Sequence, residues 1–436
     1  MSFENLDLID ELLKAVNELG FIEPTPIQTD AIPEIIGGGR DLVGLAQTGT
    51  GKTAAFGLPM IQLIDFDLAY VQGVVICPTR ELCMQISGDI KKLCKYVKGA
   101  KVVAVYGGAS IENQRNQIKK GAQIIVATPG RLLDLINRKI AKLSNVSYVV
   151  LDEADEMLNM GFQEDLDAIL ENTPAQKRTW LFSATMPKEV ARIAKKYMKN
   201  PVEITIGKKN SGAENILHVN YIVNEKDRYQ ALKRIVDYHP DIYGLVFCRT
   251  RRETQDIAEK LMKDSYNAEA IHGDLSQALR DKVMSRFKDK SIQILIATDV
   301  AARGIDVQDI THVINYKLPD EAGNYTHRSG RTARAGKSGT SIAIINSREK
   351  SKLQFIEKKV NIKFNYAKVP EGHAICEKQL YSMINKMVEV KVDQKEIERF
   401  LPLVYNTLDC LTKEELIQKF VSNEFNRFLN YNKNSK

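Results

Sequence analysis

A chain of 436 residues is longer than one ordinary core needs and suits two domains with an appendage. At 44% hydrophobic and 27% charged it reads as a folded, water-soluble chain. No apolar run nears the roughly 18 residues of a membrane span and no basic-then-apolar leader opens it, so a cytoplasmic setting without membrane is expected, while the net charge of +7 permits a nucleic-acid partner without demanding one.

The first informative segment is Gly20-Phe-Ile-Glu-Pro-Thr-Pro-Ile-Gln28, with Phe3 upstream of it. Asp41-Leu-Val-Gly-Leu45 then reads as a strand and runs into Ala46-Gln-Thr-Gly-Thr-Gly-Lys-Thr53. Thr48, Gly49, Thr50 and Gly51 make a loop whose backbone N–H groups can turn toward phosphate oxygens. Lys52 can reach the β and γ oxygens, and the Thr53 hydroxyl can take Mg²⁺. Ala46 stands where the usual G-x-x-x-x-G-K-T pattern has glycine, but the core of the loop and its strand setting keep the ATP reading.

Further apolar runs each stop at polar residues. Val74–Cys77 precedes Pro-Thr-Arg, Ile124–Ala127 precedes Thr-Pro-Gly-Arg, Val149–Leu151 precedes Asp-Glu, and Trp180–Phe182 precedes Ser-Ala-Thr. Helical stretches such as Glu81–Tyr96 lie between them. Buried strands alternating with helices predict a parallel α/β sheet whose ligands collect at the strands' carboxyl ends. Asp152 and Glu153 end one such run, a costly place for charge unless a metal or a proton transfer uses it. Asp152 would hold Mg²⁺, Glu153 would orient and deprotonate the attacking water, and Asp155 would pair with a cationic or hydroxyl neighbour.

The polar, glycine-containing stretch 207–215 is the expected linker between a first domain over 1–206 and a second over 216–368. The strand rhythm restarts at Gly244–Cys248, Ala268–Ile271, Ile292–Ala297, Val313–Asn315 and Thr340–Ile344. His272-Gly-Asp274 reads as a tight turn rather than a metal site. His327-Arg-Ser-Gly-Arg331-Thr-Ala-Arg334 sets three arginines too close together for ordinary core. Beyond Pro370 the texture becomes helical, with Leu380, Ile384, Met387 and Val388 on one face and Thr412–Glu415 as a capping box. The 371–436 extension carries 10 basic and 10 acidic residues, so it is not a basic tail for gripping RNA. The six cysteines form no C-x-x-C pair and read as reduced thiols rather than a zinc site.

Over residues 3–345 these motifs, taken in order, resemble a DEAD-box ATP-dependent RNA helicase. The resemblance implies two tandem recombinase-like parallel-sheet domains followed by a small all-helical extension, with ATP and Mg²⁺ as cofactors and RNA, single-stranded or locally unwound, as partner. It matches Phe21 and Gln28 to an adenine-reading motif; a carboxamide suits the N6 and N7 edge of adenine and poorly suits guanine. Arg80, Gly108, Thr128 and Arg131 fall in its RNA-backbone motifs, and guanidinium beside hydroxyl is apt for holding phosphate. Ser183 and Thr185 fall in its coupling motif, where their hydroxyls would bond the acidic loop. In the second half, Thr298 falls among RNA contacts and Gly304 and Asp306 among nucleotide contacts. Arg331 and Arg334 would close over the γ-phosphate, and His327 and Arg328 would link ATP to RNA across the cleft. Ala333 replaces the family's usual glycine. The extension looks like that of bacterial cold-shock-type members, which implies a homodimer through 371–436; a helical cap folded back on the second domain is the other reading. An ATP-driven DNA translocase and a non-enzymatic RNA clamp are the alternatives to RNA unwinding, and RNA-stimulated turnover separates all three.

Overall fold

The short apolar runs become strands, buried on both faces at the centre of each sheet and partly exposed at edges such as β7 and β14. In the computed structural model they are β1 (Leu42–Leu45), β2 (Gly73–Ile76), β3 (Val102–Val105), β4 (Ile124–Ala127), β5 (Tyr148–Asp152), β6 (Arg178–Ser183) and β7 (Val202–Thr205), followed by β8 (Ile216–Ile222), β9 (Gly244–Cys248), β10 (Ala268–Ile271), β11 (Ile294–Thr298), β12 (His312–Asn315), β13 (Gly339–Ile345) and β14 (Asn365–Ala367). The structure describes residues 2–47, 49–206, 215–302, 307, 309–333 and 337–433. Thr48, Gly304, Asp306, Arg334 and positions 207–214 of the expected linker lie outside these described residues.

The strands make two seven-stranded sheets, ordered β3-β4-β2-β5-β6-β1-β7 and β10-β11-β9-β12-β13-β8-β14. Every neighbouring pair is parallel. Counted from its own first strand, the second sheet repeats the order of the first. The duplication is therefore one of topology, carried by sequences that share no visible period.

Period-two alternation splits each sheet's core into two layers. On β6, Trp180 and Phe182 point into one layer with Phe56, while Leu181 joins Val43 and Met157 in the other. Gly44 on β1 allows this packing, because a Cβ there would stand 2.7 Å from the Phe182 ring. Both sheets direct their carboxyl ends toward the cleft between the domains, which brings the polar clusters that terminate the strands into one place.

The extension begins as a dock and ends exposed. Helix Gly372–Glu389 packs on helix Arg228–Tyr238 of the second domain and on helix Lys413–Lys433. Ile375 and Cys376 are its buried residues, and Lys386 pairs with Asp241 at 2.6 Å. Of the apolar face expected at Leu380, Ile384, Met387 and Val388, the last two residues stay open, Val388 at 78% and Met387 at 55% exposure. Periodicity marks an apolar stripe, but the docking contact sits a turn and more earlier. The capping box does form, with Thr412 N–H donating to Glu415 at 2.9 Å and Glu415 N–H to Thr412 at 3.2 Å.

Candidate functional site

The phosphate loop is braced from the side that sequence reading assigns to the base. Gln28 caps helix Pro26–Gly38 by accepting the Thr25 N–H at 2.9 Å, and its Nε2 donates to Gly51 O at 3.0 Å. Each amide atom keeps one further hydrogen-bond position for a ligand. Gly51 has φ +87°, and a Cβ there would lie 2.4 Å from Gln28 Nε2, so only glycine fits. Thr50 Oγ1 donates to Gln47 O at 2.8 Å. Lys52 opens helix Lys52–Leu63 and is buried, and its Nζ has no hydrogen-bond partner. A buried ammonium so placed, with the Asp152 carboxyl near it, still has all its N–H donors to give to an incoming anion.

Facing Lys52 is the acidic end of β5. Burial pushes the Asp152 carboxyl up to about 6, with Lys52 pulling it down and Glu153 pushing it further up. Glu153 sits in the left-handed region at φ +52°, its N–H donating to Asp152 Oδ1 at 3.0 Å. A non-glycine residue held there stores on the order of 1–3 kcal/mol, and such strain collects at functional positions. Glu153 Oε2 has no hydrogen-bond partner and is buried. Asp155 has the neighbours expected of it. Thr185 donates to its Oδ2 through Oγ1 at 2.6 Å and through N–H at 2.9 Å, and its own N–H reaches Ser183 Oγ at 3.4 Å. Burial works to raise the Asp155 carboxyl, but the charge of His327 and bonds from His327, Thr185 and Ser183 hold it well below the usual carboxylate range.

His327 makes that contact from the other domain. Its Nε2 lies 3.4 Å from Asp155 Oδ2, and its Nδ1 bonds Glu156. Its carbonyl accepts Arg331 Nε at 3.2 Å. Arg331 thereby faces a cleft of ≈ 510 Å³ also lined by Phe21, Gln28, Gly49, Gly51, Lys52, Thr53, Asp152 and Glu153. Phe21 is partly exposed and stacks on Phe3 at 6.3 Å. The opposite wall is Leu82, Gln85, Asp89 and Lys92 on helix Arg80–Leu93, which sequence reading does not single out. Their helical spacing is the available signal.

The side-chain bonds of Arg328 stay in the second domain: both Asp299 oxygens at 2.5 and 2.7 Å, Asn315 Oδ1 at 2.9 Å and Lys317 O at 2.8 Å. A guanidinium has five donors, and four buried bonds leave it holding the His327 helix from behind. Next to Arg331, Ala333 has φ +57°, a conformation that glycine adopts freely and alanine does not.

The residues expected to meet RNA line the rim of the same carboxyl ends. Thr128 opens helix Pro129–Asn137 without a side-chain cap, which leaves its hydroxyl available. Arg131 donates to Ala109 O at 3.0 Å and Gln114 Oε1 at 3.2 Å, shaping the turn of Gly108, whose φ is +78°. Thr298 ends β11 and accepts the Ala301 N–H at 3.4 Å. Arg80 lies 4.9 Å over the Tyr106 ring and bridges to Asp281 at 3.1 Å, while Glu81 beside it takes Arg280 at 2.9 Å. His272 is a turn residue bonded to Gln255 at 2.9 Å, and Asp274 is paired with Arg251 at 2.7 Å.

Comparison with known proteins extends over most of the chain. Residues 25–193 match the family described as "DEAD/DEAH box helicase", 227–336 the "Helicase conserved C-terminal domain", and 375–433 "Probable ATP-dependent RNA helicase, helical domain". The chain is 45% identical over 370 residues to the DEAD-box ATP-dependent RNA helicase CshA of Bacillus subtilis, covering 85% of this chain and 74% of the relative. Among solved structures it resembles S. cerevisiae Dbp5 bound to RNA and ADP BeF3, with TM-score 0.79 and 29% identity over 89% of this chain and 98% of the other. It also resembles Mss116p bound to ssRNA and AMP-PNP, with TM-score 0.77 and 28% identity over 98% and 90%.

Proposed function

This chain belongs to the DEAD-box RNA helicases, close to the bacterial CshA type, and from that premise we propose how its own residues divide the work of an ATP-dependent RNA helicase. ATP binding and hydrolysis are coupled to its interaction with RNA. The observation that carries the assignment of roles is Arg331, which reaches from the second domain into the cleft that holds Lys52, Asp152 and Glu153 of the first.

Phe21 offers a ring to the adenine and Gln28 its two remaining hydrogen-bond positions. Gly49, Thr50 and Gly51, with Thr48 before them, wrap the phosphates, and Lys52 neutralises the β and γ oxygens. Glu153 accepts a proton from the water that attacks the γ-phosphorus as the bond to the bridging oxygen breaks. Arg331, with Arg334, neutralises the charge that develops on the transferred group. The donor set suits Mg²⁺: one buried carboxylate, Asp152, and one hydroxyl, Thr53. Mg²⁺ favours such sparse sites completed by phosphate and water. It would supply charge neutralisation at the β and γ oxygens. Gly304 and Asp306 would complete the nucleotide side from the second domain.

Coupling runs through the Thr185–Asp155–His327 contact, which joins the acidic loop to the arginine turn only when the domains meet. Domains 1–206 and 216–368 would thus be ordered together by ATP and RNA, each ligand tightening the other. Arg80, Gly108, Thr128, Arg131 and Thr298 would hold one strand by its backbone, which recognises RNA without a sequence code.

The test is single-turnover hydrolysis at saturating RNA. Arg331→Ala should slow it by about 10³-fold or more, with ATP binding to the first domain retained. Glu153→Gln should abolish turnover and leave ATP and RNA binding intact. A parental rate in either variant removes that residue from the mechanism. The extension is read as a dimerisation element that also docks on its own second domain. Its exposed Val388, Val392, Phe400, Leu403 and Tyr405 favour this. Removing 371–436 should leave an RNA-stimulated ATPase that sediments as a monomer, and a full chain monomeric at every concentration refutes the dimer. A cytoplasmic setting fits this function.

A further inference from the structure

The functional cleft occupies the carboxyl ends of the first sheet. A second depression, of ≈ 660 Å³, lies along helix Ile111–Lys119 and opens at the amino ends of β2 and β4. Its wall includes Ile111, Arg115, Ile118 and Lys119, which share one helical face, and it is completed by Lys139 and Lys142. The helix starts just past the Gly108 turn that Arg131 shapes through Ala109. Its nine residues span about 13 Å, so the groove leads from the proposed RNA rim down the flank of the sheet.

Five cations, Arg115, Lys119, Arg138, Lys139 and Lys142, line this groove against one carboxylate, Glu112. Arg115 pairs with Glu112 at 3.1 Å and Arg138 with Asp134 at 2.7 Å along their own helices. Lys119, Lys139 and Lys142 are exposed and have no acidic partner among the described residues. Tyr70, 40% exposed, stands at the groove's far end and also borders the next depression, beside Lys177 and Arg178. Unpaired ammonium groups at intervals with an exposed ring among them are the elements of a sequence-tolerant single-strand track.

We propose that this groove carries the continuation of the RNA strand beyond the carboxyl-end rim, with Lys119, Lys139 and Lys142 on phosphates and Tyr70 against a base. The proposal rests on the reading of Arg80, Gly108, Thr128 and Arg131 as RNA contacts. Continuity with that rim favours RNA over an acidic polypeptide, which would need no such neighbour. The groove lengthens the grip on one strand without touching the ATP site, so it sets how much flanking RNA contributes to affinity.

The experiment measures equilibrium binding to the full chain with a non-hydrolysable ATP analogue. The probes are a short single-stranded RNA and the same RNA lengthened one nucleotide at a time at either end. In the parent, lengthening at one end should raise affinity until the groove is filled. The triple variant Lys119→Ala, Lys139→Ala, Lys142→Ala should bind the short RNA as the parent does and gain nothing from length. Its log Kd against log salt slope for the long RNA should be shallower by about 2, at about 0.7 for each phosphate that no longer meets a lysine. Tyr70→Leu should reduce the length gain and leave the salt slope alone. All four positions are exposed, so folding is not at stake. No length dependence in the parent, or an unchanged one in the triple variant, overturns the proposal. So does polyglutamate binding that the triple variant loses while RNA length dependence persists. If the short RNA itself fails to bind the parent, the rim reading falls, and this proposal with it.

Discussion

Replacing His327 by alanine should uncouple the domains without damaging either one. His327 meets both Asp155 and Glu156, which are 1% and 3% exposed. Truncating one partner of a buried, hydrogen-bonded charged group costs about 2–5 kcal/mol. Here the lower part of that range applies, because the acids recover water when the domains part and Thr185 still serves Asp155. A cost of about 2–3 kcal/mol corresponds to about 30–160-fold in the closing equilibrium. The assay is energy transfer between dyes on the two domains, titrated with RNA at saturating ATP analogue. The variant should need about that much more RNA to reach the parental closed fraction, while ATP affinity without RNA stays unchanged. Equal closing curves would refute the argument, and so would a parallel fall in ATP affinity without RNA.

Two further outcomes follow from the first-domain acids and the arginine turn. The Asp152 carboxyl is raised by burial to about 6, so its contribution to stability is full below its unfolded value and lost as pH rises through about 6. Urea unfolding should show parent stability falling across that window relative to Asp152→Asn, by on the order of 3 kcal/mol; parallel pH profiles would show the shift to be absent. Ala333→Gly should raise the second domain's unfolding free energy by about 0.5–1 kcal/mol, since a left-handed penalty of roughly 1–2 kcal/mol on a Cβ outweighs glycine's extra chain entropy. A decrease of stability in calorimetry would mean that alanine is not strained there.

Much of the site is legible because its residues end strands, and strand ends are visible as apolar runs that stop. Lys52, Asp152, Glu153 and Thr185 each follow such a run, so their chemistry and their convergence can be read together. Partnerships across the cleft cannot. Arg80 and Asp281 are 201 residues apart, and nothing local to either marks the other. Arg328 shows the converse: beside His327, which meets the first domain, it turns inward to Asp299 and Asn315, because a helix presents consecutive positions to different surroundings. The left-handed backbone of Glu153 leaves no sequence mark, since the residue there is not glycine. The extension's stripe is visible, but periodicity reports that a face is apolar and not what covers it.

The crossed pairs at the rim carry a consequence for how the molecule closes. Each domain offers adjacent charges of opposite sign, Arg80 and Glu81 on one and Arg280 and Asp281 on the other, and they exchange partners at 3.1 and 2.9 Å. These patches are electrically self-balanced, so they exert no long-range pull on each other, yet turned by half a revolution they would set arginine against arginine. They act as a key for orientation and leave the driving force to the ligands. Ionic strength, which weakens the hold on RNA phosphates through counterion release, has little leverage on neutral patches meeting at contact distance. Salt and RNA length together therefore separate two events that ordinary turnover merges: seizing the strand and shutting upon it.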